Sequence, residues 1–332
     1  MDIGQVLKDT LNPFTNKGPV PEQATISRGM SSKYLSSLIG TGGAGKTSLA
    51  CQIFLTARTL QQQLGDFYCD IDDSNSTMMN DISRMESGHF PPKTKAYNTY
   101  AYQCALNMWW GKKSLFGQKA ATFQVCDLAG EDLVAQSQYN INKPSSIAYS
   151  QAAKLVDYIY RSDIFILAAP ASRAPIFDGG ESVEQEDSDL AFNPDVNLAS
   201  IFGMIINKRK ANRMPIKGIA LCLTKCDMID KYVEKKYGWN LYNRESDRIA
   251  FLNKYFPWTT MKLKALTDTW SQTEVRTYPM FVETVKQSDG VQKKWPSGSD
   301  TGNPVIDAKD RVPKYNAQSC VNLINFIGKI VG

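Results

Sequence analysis

The stretch Gly40-Thr41-Gly42-Gly43-Ala44-Gly45-Lys46-Thr47 decides the fold of this chain. It fits the Walker A pattern GxxxxGK[ST], in which glycines let backbone N–H groups surround the phosphates of a nucleoside triphosphate. In such a loop Lys46 reaches the β- and γ-phosphates, and the hydroxyl of Thr47 binds Mg²⁺. The alternative interpretation is an ordinary glycine-rich turn.

The segments on both sides of this loop have the patterns that a Walker A motif requires. Residues 33–39 are predicted to form a strand, and residues 48–64 a helix with apolar side chains at helical spacing. This strand–loop–helix order favours a phosphate site over a plain turn. Besides Lys46 and Thr47, the residues expected to contact the nucleotide here are Gly40, Gly42, Gly43, Ala44, Gly45 and Ser48.

Length and composition limit the classes of function. The 332 residues are 42% hydrophobic and 21% charged, as in a soluble globular protein. A net charge of +5 is too small to favour a nucleic-acid partner. No apolar run approaches the roughly 18 residues of a membrane span, and the N-terminus lacks a secretory pattern. Seven cysteines without a CxxC pair, with one histidine, predict reduced thiols in the cytoplasm rather than disulfides or zinc.

Apolar strands alternate with helices along the chain, which is typical of an α/β fold with a mostly parallel sheet and helices on both faces. We predict a three-layer domain over residues 31–332 after an extension at 1–30, with insertions near 66–118, 171–196, 228–275 and 287–314. Strands are predicted at about 67–71, 96–109, 122–126, 164–169, 218–223 and 280–284. Further helices are predicted at about 74–85, 149–160, 197–211 and 320–331.

A second motif, Asp127-Leu128-Ala129-Gly130, follows the strand predicted to end at Cys126. An aspartate at the carboxyl end of an apolar strand has the position of the acid that holds Mg²⁺ in P-loop proteins, commonly through a water. Gly130 has no side chain, so its N–H can approach a γ-phosphate. Taken alone, this short pattern favours a tight turn after a strand; its order after the Walker A loop and the strand before it favour the magnesium role.

The third motif, Thr224-Lys225-Cys226-Asp227, comes directly after a predicted buried strand. The carboxylate of Asp227 can accept hydrogen bonds from N1–H and the 2-amino group of guanine, and adenine offers no such pair. The aliphatic part of Lys225 can lie over the base plane. With Thr224 these residues form the predicted base site. A P-loop ATPase or kinase is the alternative if this match is accidental.

With these three elements the chain resembles the P-loop GTPases of the Ras-like and translation-factor class, over about residues 31–331. The resemblance implies GTP or GDP and Mg²⁺ as cofactors, bound at the carboxyl ends of the strands. It also implies that a backbone N–H of Thr284 or Val285 contacts the guanine oxygen, after the last predicted strand. A further implication is a switch threonine that closes on Mg²⁺ and the γ-phosphate.

Thr94 is the predicted switch threonine and third metal-site residue beside Thr47 and Asp127; Thr77 and Thr99 are the alternatives. It ends the stretch Gly88-His89-Phe90-Pro91-Pro92-Lys93-Thr94, where a glycine and two prolines favour a pre-shaped loop. Some less studied prokaryotic GTPases are similar in this stretch. A plain surface loop is the alternative interpretation.

Glu131 departs from the family pattern, because many members carry a water-orienting glutamine after DxxG. A carboxylate is repelled by the γ-phosphate and cannot donate a hydrogen bond unless it is protonated. We therefore predict a slow GTPase, with Lys46, Thr94, Gly130 and Glu131 at the reacting phosphate.

The predicted role of this GTPase is that of a switch or assembly regulator with a protein effector on its switch face. A scaffold that binds nucleotide without hydrolysis is the alternative. The pattern leaves open the oligomeric state and the role of the acidic stretch 178–189.

Overall fold

The computed structural model describes residues 34–72, 77–91, 102–111, 119–127, 159–173, 193–284, 304–309 and 311–331. Its strands are β1 (Tyr34–Gly40), β2 (Phe67–Asp72), β3 (Tyr102–Trp110), β4 (Lys119–Asp127), β5 (Ile164–Pro170), β6 (Gly218–Thr224) and β7 (Glu274–Met280). Its helices are α1 (Lys46–Gln63), α2 (Thr77–Glu86), α3 (Pro194–Ala211), α4 (Asp230–Tyr237), α5 (Glu245–Tyr255), α6 (Pro257–Thr269) and α7 (Ala317–Val331).

The seven strands form one mixed sheet in the order β2-β3-β4-β1-β5-β6-β7. The five strands from β4 to β7 in this order pair in parallel. The two strands at the other edge, β2 and β3, pair antiparallel. The carboxyl ends of β1, β5, β6 and β7 therefore meet at one edge, which is where ligands bind in open parallel sheets.

Two apolar cores cover the two faces of the sheet, because successive strand residues point to opposite sides. Leu38, Ile166 and Cys222 belong to the first core, where the sheet packs against α1, α2 and α7. Ile39 and Leu167 belong to the second core, which α3, α4, α5 and α6 cover. This arrangement confirms the predicted fold class, a three-layer α/β fold of the P-loop NTPase type with a mostly parallel central sheet.

The third helix begins three residues before the predicted start at 197. Pro194 occupies its first turn, where a missing N–H costs nothing. The side-chain oxygen of Asn193 accepts hydrogen bonds from the N–H groups of Asp195 at 2.9 Å and Val196 at 3.4 Å. These bonds satisfy N–H groups that have no partner within the helix, so the cap sets the helix start.

The prediction of the last strand at 280–284 is wrong, because the strand is β7 and ends at Met280. The sequence of β7 contains polar residues and Pro279, so it lacks the apolar pattern of a buried strand. Such residues are tolerated because β7 lies at the edge of the sheet, beside α5. The N–H of Thr277 donates to Glu245 Oε1 at 3.4 Å, and Arg248 donates to the Thr277 hydroxyl at 3.0 Å. Residues 282 and 284 form only isolated bridges, to Tyr315 and Pro304.

Some predicted segments lie outside the described residues. These are the extension at 1–30, the first part of the strand predicted at 96–109, and the helix predicted at 149–160 apart from residues 159 and 160, which are helical. In the described ranges no helix has both the length and the apolar character needed to cross a bilayer.

Candidate functional site

The backbone of the Walker A loop depends on glycine at several positions. Gly43 and Gly45 have φ values of 66° and 76°, in the left-handed region that side chains disfavour. A Cβ on Gly40 would lie 3.0 Å from both Cβ and the carbonyl oxygen of Ala168. The loop therefore wraps tightly between the end of β1 and the start of α1, as a phosphate cradle requires.

Lys46, Thr47 and Ser48 form the first turn of α1, directly behind this loop. The Lys46 ammonium donates to the carbonyl oxygens of Gly40 at 3.2 Å and Thr41 at 3.1 Å, and only 8% of the residue is exposed. The helix N-terminus adds partial positive charge at the same place. The ammonium of Lys46, the backbone N–H groups of the loop and the hydroxyl of Thr47 are together suited to a magnesium-bound polyphosphate.

Thr224 connects the base motif to the Walker A loop. Its hydroxyl donates to the carbonyl oxygen of Ala44 at 2.7 Å and lies 3.4 Å from the carbonyl oxygen of Ala169. The residue is buried, with 4% of its surface exposed. The hydroxyl of Thr224 therefore positions the Walker A loop, and its predicted contact with nucleotide stays a prediction.

The rest of the base motif forms a tight turn at the end of β6. Lys225 has φ 56°, unusual for a residue with a side chain, and a short 3₁₀ helix follows at Cys226–Met228. The buried thiol of Cys226 donates to the carbonyl oxygen of Met280 at 3.4 Å. Burial raises the pKa of this thiol well above its usual value, so it stays protonated and keeps donating. The turn is thereby attached to the end of β7.

One pocket joins residues that are far apart in the sequence. It is lined by the end of the Walker A loop and the start of α1, by the turn after β6, and by the segment after β7. The predicted site residues that it brings together are Gly45, Ser48, Thr224, Lys225, Asp227 and Thr284. Lys225 and Asp227 are half-buried there, whereas Thr284 is buried. Residues of the Walker A loop and helix and residues of the base motif therefore line the same pocket.

Backbone hydrogen bonds hold the segment after β7 in place. The N–H of Glu283 donates to the carbonyl oxygen of Lys314 at 2.7 Å, and its carbonyl oxygen accepts from Val305 at 2.8 Å. These bonds fix residues 281–284 beside the pocket although they are not part of the sheet. Thr284 lies at the pocket as predicted, but four residues beyond the end of its strand.

Phe90 and Gln52 also line the pocket, and the sequence analysis did not identify either residue. Both are buried, with 3% of their surface exposed. Phe90 follows Gly88, a left-handed residue after α2, in the loop that leads toward Thr94. An aromatic residue in front of two prolines was the available signal for Phe90. The signal for Gln52 was its position as a polar residue on an apolar face of the predicted helix.

Asp127 is the last residue of β4, whose neighbour β1 leads into the Walker A loop. β1 and β4 pair in parallel as far as Ser37 and Gln124, so both strands end at the same edge of the sheet. The magnesium role of Asp127 stays a prediction. Thr94, Thr99, Gly130, Glu131 and Val285 lie outside the described residues, as do the side chains of Asp127 and Thr77.

A divalent cation at this site would depend on the nucleotide. Within the ranges that the structure describes, no group of three or more His, Cys, Asp or Glu residues could hold a metal ion by itself. Mg²⁺ in phosphate sites typically keeps several waters and takes its other ligands from one or two protein groups and the phosphates. The hydroxyl of Thr47 is the group in the Walker A unit that is predicted to act as such a ligand.

The chain is similar to known proteins in its structure, and not in its sequence. No family model matches the chain, and no curated protein matches it. Among solved structures, the chain is similar to a signal recognition particle receptor, in the SRb-GTP/SRX complex from Chaetomium thermophilum. The match has 15% identity and a TM-score of 0.31, and it covers 74% of this chain and 93% of that chain.

Proposed function

We propose that this chain binds GTP and GDP with Mg²⁺ and is a slow GTPase of the Ras-like and translation-factor class. The observation that supports this proposal is the shared pocket, which has Gly45 and Ser48 of the Walker A unit on one side and Lys225 and Asp227 of the base motif on another. A carboxylate at the base site accepts the N1–H and 2-amino protons of guanine, and adenine lacks that pair.

In the proposed reaction, water attacks the γ-phosphate of GTP and gives GDP and phosphate. Lys46 and the loop N–H groups would hold the β- and γ-phosphates and stabilise the charge that develops on them. Mg²⁺, when bound, would neutralise charge on the same oxygens through Thr47, Thr94 and Asp127. Gly130 would donate its N–H to the γ-phosphate, and Glu131 would make hydrolysis slow because its carboxylate cannot donate to the attacking water.

The proposed biological role is a nucleotide-dependent switch or assembly regulator in the cytoplasm. Residues 31–332 would form the GTPase domain, with the extension at 1–30 and the insertions outside its core. A γ-phosphate would order the segments around Thr94 and Asp127, and a protein effector would read that state. Glu131 also favours a second candidate, a scaffold that binds nucleotide without hydrolysing it. The ATPase alternative requires that the match of Thr224–Asp227 to the base motif be accidental.

Hydrolysis is tested with purified protein and GTP. We expect GDP or GTP to be released from the denatured protein, and added GTP to turn over slowly with Mg²⁺. If the carboxylate of Glu131 limits the rate, Glu131→Gln will raise it, because the amide can donate to water. Phosphate release and chromatographic nucleotide analysis measure both quantities. Bound guanine nucleotide without any turnover, in the unmodified protein and in the variant, would favour the scaffold.

A second expected result concerns the contact between the two motifs. Thr224→Val keeps the shape of the side chain but removes the hydroxyl that donates to Ala44. We expect GDP to dissociate about fivefold to tenfold faster, since the loss of one buried hydrogen bond costs about 1 kcal/mol. Release of a fluorescent GDP measures the rate. Thr260→Val, which removes an exposed hydroxyl bonded to Pro257, is the matched control. Equal rates in both variants would contradict the positioning role.

A further inference from the structure

Gln52 has an unusual position on the first helix. The face of α1 that borders the pocket carries Gly45, Ser48, Leu49 and Gln52, at the spacing of successive helical turns. Only 3% of Gln52 is exposed. A polar residue therefore occupies a place that packing alone would give to leucine or methionine.

The amide of Gln52 is poorly satisfied within the described part of the chain. Its single polar contact there is the thiol of Cys320, which lies 4.0 Å from Oε1. No described group accepts a hydrogen bond from the two N–H protons on Nε2. Nε2 of Gln52 is not among the fully buried polar atoms that lack a partner, so part of its surface borders open space in which a ligand could accept its protons.

The orientation of this amide follows from the thiol. Cys320 is fully buried, and burial raises the pKa of its thiol to about 12, so the sulfur carries a proton at neutral pH. An S–H group is a donor, which directs the amide oxygen toward the sulfur. The amide NH₂ group is then the end of Gln52 that is available to a ligand in the pocket.

The two walls of the pocket come from opposite faces of the sheet. Cys320, the neighbour of Gln52, belongs to the core under α1 and α7. Cys226 of the base motif belongs to the other core, and Met228 just after the motif packs against it. Gln52 and Asp227 therefore line one pocket from elements that pack on opposite faces of the sheet. In guanine, N7 lies on the edge opposite the N1–H and 2-amino protons that Asp227 would accept.

Besides Ser48, Lys225 and Thr284, which already belong to the predicted nucleotide contacts, the described polar groups near the pocket do not provide a donor for N7. The hydroxyl proton of Thr224 is used by Ala44, and the N–H of Glu283 is used by Lys314. Asp227 only accepts when it is ionised. If the N–H of Thr284 serves the guanine oxygen, as the resemblance implies, the amide of Gln52 is a donor that is still available for N7.

We propose that Gln52 donates a hydrogen bond from Nε2 to N7 of the bound guanine base. This inference rests on the proposed function, because it places a base in the pocket. Gln52 and Asp227 would hold the base by two opposite edges, so that Gln52 fixes its orientation and requires a purine with a ring nitrogen at position 7.

The test compares GDP with 7-deaza-GDP, which has C–H in place of N7. We expect the unmodified protein to bind 7-deaza-GDP about fivefold more weakly, as for the loss of one hydrogen bond. In Gln52→Met, which keeps an unbranched side chain of similar size, GDP and 7-deaza-GDP should bind equally. The matched control is Gln62→Met on the exposed side of the same helix, which should keep the fivefold preference.

A Gln52→Met protein that keeps the full preference for GDP would overturn the inference. Gln52→Glu provides a second variant if the methionine protein fails to fold, since it keeps the side-chain shape and replaces the donor with an acceptor. It should lose or reverse the preference, and a preserved preference would again overturn the inference. If the unmodified protein binds no guanine nucleotide, the proposed function itself fails, which is a different result from an unchanged ratio.

Discussion

Lys46→Ala is expected to weaken binding of GTP by about a hundredfold. The ammonium of Lys46 is held at the loop by the carbonyl oxygens of Gly40 and Thr41, where it can reach a polyphosphate. A charge-assisted hydrogen bond to phosphate contributes about 1.5 to 3 kcal/mol. The upper value of about 3 kcal/mol corresponds to the expected hundredfold loss of affinity. Equilibrium titration with a fluorescent GTP analogue measures the affinity.

The fold should survive this substitution, because the Lys46 ammonium contacts loop carbonyls rather than the apolar core. Circular dichroism and the melting temperature without nucleotide check this point. Lys210→Ala, on the exposed side of α3, is the matched control for the loss of one positive charge. A folded Lys46→Ala protein with unchanged affinity for GTP would show that the Walker A loop does not bind phosphate.

Asp227→Asn is expected to change which base the protein binds. The carboxylate would accept the N1–H and 2-amino protons of guanine, and the asparagine amide can accept only one and donates at its other end. Guanine loses at least one charge-assisted bond, so GDP affinity should fall about a hundredfold. Xanthine has a carbonyl at position 2, which the new N–H group can satisfy. XDP should therefore bind the variant better than GDP does.

Competition between GDP and XDP for a fluorescent nucleotide measures this change. Asp268→Asn, at an exposed position on α6, is the control for the loss of one negative charge and should keep the preference for GDP. If Asp227→Asn binds GDP and XDP with the wild-type ratio, Asp227 does not read the base. The pocket would then need a different ligand.

Much of the fold could be predicted from local patterns. The strand before the Walker A loop, the helix after it, and the buried strands β5 and β6 are short continuous apolar or periodic segments, so composition is sufficient to place them. β7 was misplaced because an edge strand does not need to be apolar. The side chain of Thr277 accepts a hydrogen bond from Arg248 and its backbone N–H donates to Glu245, and no local pattern reveals these contacts.

The residues of the candidate site also differ in whether a local pattern could predict them. Gly45, Lys225 and Asp227 belong to motifs whose spacing has a chemical reason, so each could be proposed from the sequence. Phe90 and Gln52 become neighbours of these residues only when α1, the loop after α2 and the end of β7 pack together. The positioning contact of Thr224 likewise depends on tertiary structure, since it joins residues 180 positions apart.

A side-by-side titration of the unmodified protein with GDP and ADP in the presence of Mg²⁺ tests the central claim most directly. After removal of any bound nucleotide, calorimetry gives both dissociation constants under identical conditions. We expect GDP to bind at least about a hundredfold more tightly than ADP, because only guanine satisfies the carboxylate of Asp227. Equal affinity for the two nucleotides, or no binding of GDP, would contradict it.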